Sequence, residues 1–180
     1  MKTAIQNNKS VIKFLATFII SYAVLYFIYY CFLNSSNNID FFTKTVSNQT
    51  VKLLNFLGYE TLTTTNTTND FILLLVRGKN IANIAEGCNA VSVMILFVAF
   101  IFSFYKDLKS TVLYCILGVI IIHVINIIRI VIIVICMYHF PEYANPLHDF
   151  VFPAMIYSVV FLLWVFWVKS FQKSKNESKG

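Results

Sequence analysis

Four runs of this chain are too long and too apolar to sit comfortably in a water-soluble fold. They extend from about Val11 to Leu33, Asn89 to Tyr105, Thr111 to Tyr138 and Phe150 to Val168. A helix needs roughly 20 such residues to cross a ~30 Å hydrocarbon core. Only 12% of the residues are charged, whereas a globular domain carries about a quarter to cover its surface. The scarcity follows from the cost of placing ionised groups in hydrocarbon. The sequence therefore predicts an all-α integral membrane protein, a four-transmembrane-helix bundle filling residues 1–180 as one membrane domain. The first run is too long for a signal-peptide core and shows no small-residue cleavage site, so it reads as an uncleaved anchor. The third, at about 28 residues, is over-long and must tilt or project beyond the bilayer.

Orientation follows from lysine and arginine, which are enriched in cytoplasmic loops. Threading four helices puts three segments on one side: the N-terminus with Lys2, Lys9 and Lys13, the short loop with Lys106 and Lys109, and the tail 169–180 with Lys169, Lys173, Lys175 and Lys179. On the other side, Lys44, Lys52, Arg77 and Lys79 are offset by Asp40, Glu60, Asp70 and Glu86, and the loop from His139 to Asp149 has no lysine or arginine. Both termini are thus expected in the cytoplasm. The net charge of +6 is a topology signal, and no nucleic-acid partner is implied.

The large outer loop, residues 34–87, has structure of its own in this reading. Between Thr43 and Leu57, Val46, Leu53, Leu54 and Leu57 fall at helical spacing and Gly58 suits the stop, which predicts a short amphipathic helix. The polar run Thr61 to Asp70 reads as a loop. Phe71–Val76, the turn Arg77–Asn80 and Ile81–Ala85 read as a β-hairpin leading into Cys88. Asn48-Gln-Thr50 and Asn66-Thr-Thr68 match the glycosylation pattern, as threonine-rich loops do by chance.

The ionisable groups at the ends of the spans carry the chemistry. Arg129 lies in a run of isoleucine and valine and must find a partner, because arginine cannot shed its proton. From Thr111 it is about 27 Å along the helix, near the outer leaflet. Asn126, three residues earlier, can brace it. Cys88, in Glu86-Gly-Cys-Asn89, stands at or near a helix N-terminus, where amides and the helix dipole favour thiolate. Cys31, Cys115 and Cys136 lie in apolar runs and read as small hydrophobes, and no metal spacing or disulfide framework is present. His148 opens the fourth span and can exchange protons near neutral pH. His139 is its competitor, while His123 reads as a helix-contact residue. Asp149 adjoins His148 in sequence, so on a helix the two side chains should diverge; Glu86 is the better candidate to orient the imidazole. Each of these residues alone has a structural explanation: a snorkelling arginine, a buried thiol, an interfacial histidine. The topology nevertheless brings Cys88, Arg129 and His148 to the outer ends of three different helices. A thiol nucleophile, a proton carrier and a cation for the oxyanion form a set suited to acyl transfer through a thioester.

Glu-Gly-Cys at the head of one span, Asn126-Ile-Ile-Arg129 in the next and His148 followed by Phe152 in the last resemble the exosortase/archaeosortase family over roughly Phe71 to Val168. The size is similar to its short, exosortase F-type members. The resemblance implies a membrane-embedded cysteine peptidase/transpeptidase of the bacterial cytoplasmic membrane, working on the extracytoplasmic side. Its substrate would be the C-terminal sorting signal of a secreted, membrane-anchored protein, passed to an acceptor nucleophile that the sequence does not name. It implies Cys88, Arg129 and His148 as catalytic, with Asn126, Glu86 and Asn89 in support. No cofactor or metal is implied, and the histidines lack HExxH spacing. Two departures stand out: larger members carry extra spans, and the Ser-Gly that often follows the cysteine is Asn89-Ala90 here. The alternative is a non-enzymatic membrane scaffold or assembly factor retaining the fold. A small transporter ranks last, since only the third span carries polar groups at mid-membrane.

Overall fold

The computed structural model describes residues 9–35, 39–66, 71–143 and 146–177, without the side chains of Ser10, Phe152 and residues 171–177. Its elements are α1 (Lys9–Asn34), α2 (Phe41–Phe56), β1 (Thr61–Asn66), β2 (Phe71–Val76), β3 (Lys79–Ile84), a 3-10 turn (Glu86–Asn89), α3 (Val91–Ser103), α4 (Leu108–His139), a π-helical turn (Leu147–Val151) and α5 (Phe152–Glu177). Lys2, Asp70, Asn145, Lys179, the Thr67 and Thr68 part of the second glycosylation match and the side chains of Phe152, Lys173 and Lys175 lie outside the described residues.

Among the described residues, three helices are long and apolar enough to cross a membrane: Val11–Asn34, Leu108–His139 and Leu147–Ser170. The expected second span is shorter than the sequence reading. Residues 89–105 contain a helix of only 13 residues, Val91–Ser103, about 20 Å long at 1.5 Å per residue. Its start is delayed because Asn89 closes a 3-10 turn and Ala90 takes a left-handed conformation (φ 59°) before the helix begins. Its last turn runs into Lys106 and the Asp107 cap of α4, whose carboxylate accepts from Ser110 N at 2.8 Å.

Helices α3, α4 and α5 pack round one core in which Phe97, Ile101, Ile122, Val160 and Trp167 are buried, and α1 lies against α3. Aromatic shape does much of the fitting: Phe100 stacks on Trp164 at 4.3 Å, and Phe14 meets Phe104 at 4.7 Å. Phe97, fully buried, brings the far end of its ring against α4 at Gly118, where any Cβ would run into it. Two polar side chains bond to backbone carbonyls of a neighbouring helix or helix end, Tyr114 Oη donating to Leu163 O at 2.7 Å and Trp167 Nε1 to Phe104 O at 3.0 Å.

A second core explains the over-long helix. At 32 residues, α4 is about 48 Å long, well beyond a ~30 Å bilayer core. Its last turns are covered by protein: Ile130, Val131 and Val134 are buried against Val46 and Leu54 of α2 and Ile72, Leu74, Val76 and Ile84 of the strands. The amphipathic helix is thus a wall of this core. Asp40 caps it by accepting from Phe42 N (2.8 Å) and Thr43 N (3.0 Å), and Gly58 (φ 86°) ends it. Its buried face also carries Thr43, Ser47 and Thr50, which the apolar spacing alone did not reveal.

The strands form one antiparallel sheet in the order β1-β2-β3. β2 and β3 turn through Arg77 (φ 49°) and Gly78 (φ 77°), two positive φ values that match the strand twist in a tight hairpin. The polar run read as a loop is corrected by β1, which pairs with β2 from Thr61↔Val76 to Asn66↔Phe71. Polarity misled there: threonine is β-branched and suits a strand with one exposed face. Asn55 pins the strand to α2, accepting from Thr61 N at 2.7 Å and donating to Thr61 O at 3.2 Å.

Candidate functional site

The end of β3, the 3-10 turn, the upper half of α4 and the π-helical turn converge on one cavity of about 280 Å³. Cys88, Arg129 and His148 all line it, with Ala82, Asn83 and Ile84 from β3 and Ile130, Ile133, Val134 and Met137 from α4. Three elements far apart in sequence thus deliver a thiol, a guanidinium and an imidazole to the same space.

Cys88 is half-buried and its backbone is held on both sides. Its N–H donates to Ala85 O at 2.9 Å, closing the 3-10 turn. Its carbonyl accepts from Asn126 Nδ2 at 2.8 Å. It lies near the start of α3 but not on it, because Ala90 intervenes and Asn89 Oδ1 takes the Val91 amide at 3.0 Å. The bond to Asn126 also fixes its depth. Asn126 is some 20 Å short of the end of α4 along the helix axis, so the sheet and the last turns of α4 rise above the thiol.

Asn126 is fully buried and serves two neighbours at once. While its amide nitrogen holds Cys88, its Oδ1 accepts from Arg129 Nη1 at 3.3 Å. One side chain therefore sets the spacing between the thiol-bearing turn and the guanidinium. Arg129 lies within electrostatic range of the Cys88 sulfur and the Tyr157 hydroxyl. Its Nε is buried and has no hydrogen-bond partner among the described residues, although a buried donor left unmade costs about 1–3 kcal/mol. Such a donor is suited to an oxygen that arrives with a ligand.

His148 is exposed over most of its side chain and its Nδ1 lies 3.0 Å from Asp149 Oδ1. This overturns the expectation that adjacent side chains diverge. The expectation assumed an α-helix, but residues 147–151 form a wider π-helical turn, a distortion frequent at functional sites. The carboxylate favours the tautomer with the proton on Nδ1, which leaves Nε2 free to accept one. Glu86, the candidate for that role on sequence grounds, is exposed and does not line the cavity. Its carboxyl is held above the usual range by partial burial and then by the charge of Asp40, which places it on the α1–α2 side. Asn89 also faces that way, fully buried, its amide donating to Tyr29 Oη (3.1 Å) and Thr43 Oγ1 (3.2 Å). It anchors the turn to α1 and α2.

The remaining sequence candidates lie elsewhere. His139 Nε2 is 3.0 Å from Tyr59 Oη, and His123 Nε2 is 2.7 Å from Gln49 Oε1, tying α4 to α2. Neither lines the cavity. Cys31, Cys115 and Cys136 are free thiols outside it, and no group of three metal-ligating side chains occurs among the described residues. The sequence reading missed Ile133 and Met137, which follow Arg129 at intervals of four on the same face of α4. That stripe could have been read once Arg129 was singled out.

The family model for the transmembrane exosortases matches residues 11–167, from the first helix to the core of the last. The chain belongs to the exosortase family. It is accordingly a transmembrane protein of a family regarded as cysteine transpeptidases that act on secreted proteins carrying a C-terminal sorting signal. No curated protein and no solved structure matches the chain. The family match covers α1, the sheet and α3 to α5 together, so this exosortase carries the cavity within the matched region.

Proposed function

We propose that this exosortase is a membrane cysteine peptidase/transpeptidase whose catalytic residues are Cys88, Arg129 and His148. The observation that carries the reading is their convergence on one cavity from the 3-10 turn, α4 and the π-helical turn. His148 Nε2 takes the Cys88 proton, and the thiolate attacks the carbonyl carbon of the scissile peptide bond. The carbonyl π-electrons move to oxygen, and the Arg129 guanidinium, with its unpartnered Nε, stabilises that oxyanion. As the intermediate collapses, the C–N bond breaks and the imidazolium returns its proton to the leaving amine. The acyl group remains on sulfur as a thioester until water or an acceptor nucleophile releases it, with His148 again receiving the proton. Asp149 holds the imidazole in the required tautomer, and Asn126 sets the distance between thiol and guanidinium.

With the lysine-bearing ends of the bundle in the cytoplasm, the cavity opens on the extracytoplasmic side, where an exported protein with a membrane-anchored tail would present its junction. The scaffold reading has no use for a thiol, a guanidinium and an imidazole on one cavity. Cys88→Ala is expected to abolish tail processing in cells while the protein still inserts in the membrane, measured by C-terminal proteomics of the exported proteins. Undiminished processing by that variant would contradict the reading.

A further inference from the structure

The sheet has two edges, and they face different surroundings. Among the described residues, β3 pairs only with β2. The hairpin fixes which of its backbone groups point inward: Lys79 pairs with Val76 across the two-residue turn, and Ala82 and Ile84 pair with Leu74 and Ile72. In an antiparallel ladder the alternate residues direct their N–H and C=O the other way, which here means Asn80 and Asn83. Among the described residues no backbone hydrogen bond crosses that outer edge. An unpaired edge is a template for another strand, and proteins normally blunt or cover it. The edge of β3 is instead left facing the cavity, for Ala82, Asn83 and Ile84 line it together with Cys88, Arg129 and His148.

We infer that β3 is the substrate-binding strand: an extended segment of the substrate polypeptide adds to its free edge as a fourth strand and is carried along it to Cys88. The inference rests on the catalytic reading of Cys88 and deepens it by naming how the peptide is held. Cys88 follows β3 by only four residues, so a chain paired with Asn80 and Asn83 runs directly past the thiol. Binding through main-chain hydrogen bonds supplies affinity and register with little demand on side-chain identity. It also presents an extended backbone, whose carbonyls are accessible to the thiolate. The opposite edge, β1, offers the same backbone pattern with Thr63 pointing outward, but it borders neither Cys88 nor the cavity. That makes it an internal control.

The test compares proline substitutions at the two edges in the full-length protein in cells. Asn83→Pro removes an outward N–H from β3, and Thr63→Pro removes one from β1. Tails that accumulate uncleaved in the Cys88→Ala strain are the readout, and labelling of Cys88 by iodoacetamide reports an intact site. Asn83→Pro is expected to accumulate the same tails as Cys88→Ala while still being labelled; Thr63→Pro is expected to process them. Normal processing by Asn83→Pro would overturn the strand assignment alone, whereas normal processing by Cys88→Ala would overturn the cysteine reading and the strand with it. If Asn83→Pro is not labelled, the Cys88→Ala protein in nanodiscs decides the matter. It is given a synthetic peptide of an accumulated tail with single backbone amides replaced by esters. Every second ester is expected to weaken binding by about threefold to tenfold, the value of one hydrogen bond, and losses without that period of two would overturn the proposal.

Discussion

The two cores of this molecule are built from different materials. In the helical bundle, Thr111 is the one fully buried polar residue among those described, and packing rests on Phe97, Trp167 and their aliphatic neighbours. At the sheet-bearing end the buried set includes Asp40, Thr43, Ser47, Thr50, Thr61, Asn89 and Asn126. Buried polar groups stabilise little on balance, and their bonds are worth about 1 kcal/mol each. They impose direction, however. Asn89 ties the cysteine turn to α1 and α2, and Asn126 ties it to Arg129. The bundle end is organised for cohesion in lipid, whereas the sheet end holds a few chemical groups at fixed spacing. Substitutions at the two ends should therefore separate activity from stability.

The largest separation is expected at Arg129. Arg129→Ala should lower processing by about 10²–10³-fold, the usual loss for one oxyanion donor. Its melting temperature in detergent should change little, because the unpartnered Nε disappears together with the bond to Asn126. Arg129→Lys should rescue little, since a point charge cannot replace the planar fork. A large fall in melting temperature for Arg129→Ala would make the residue structural and erase the contrast. The converse case is Gly118→Ala. Its added methyl meets the Phe97 ring and should destabilise the bundle by about 1–3 kcal/mol, while Cys88 stays as reactive toward iodoacetamide as in the unmodified protein. The smallest effect is expected at Asp149. His148 and Asp149 are both well exposed, so solvent screens the pair and Asp149→Asn should slow processing only a few-fold. Processing at the unmodified rate by Asp149→Asn would assign Asp149 no part in orienting His148.

Much of this architecture was legible in the sequence because its signals are local. Apolar runs locate α1, α4 and α5, and the Lys106-Asp107 break separates the middle pair. The spacing of Val46, Leu53 and Leu54 marks α2, and Arg129 stands out as a charge in a run of isoleucine. What escaped depended on tertiary contacts or on unusual backbone. The short α3 could not be read from residues 89–105, since nothing in their hydropathy signals the left-handed turn at Ala90. β1 was obscured because its threonines are both polar and strand-forming, and only pairing with β2 decides between these tendencies. The excess length of α4 is visible in the sequence, but its explanation, a second core against the sheet, requires the partners to be in place. The contact between His148 and Asp149 runs against α-helical geometry, which a π-helical turn does not obey.

The central claim is that Cys88 carries an acyl group during turnover. The direct measurement is to quench the membrane-embedded protein in acid during processing and digest it for mass spectrometry. The account predicts a substrate-derived peptide in hydroxylamine-labile thioester linkage on Cys88, absent from Cys88→Ala. Processing that continues with Cys88 unmodified throughout, or an acyl group found on Cys31, Cys115 or Cys136 instead, would contradict it.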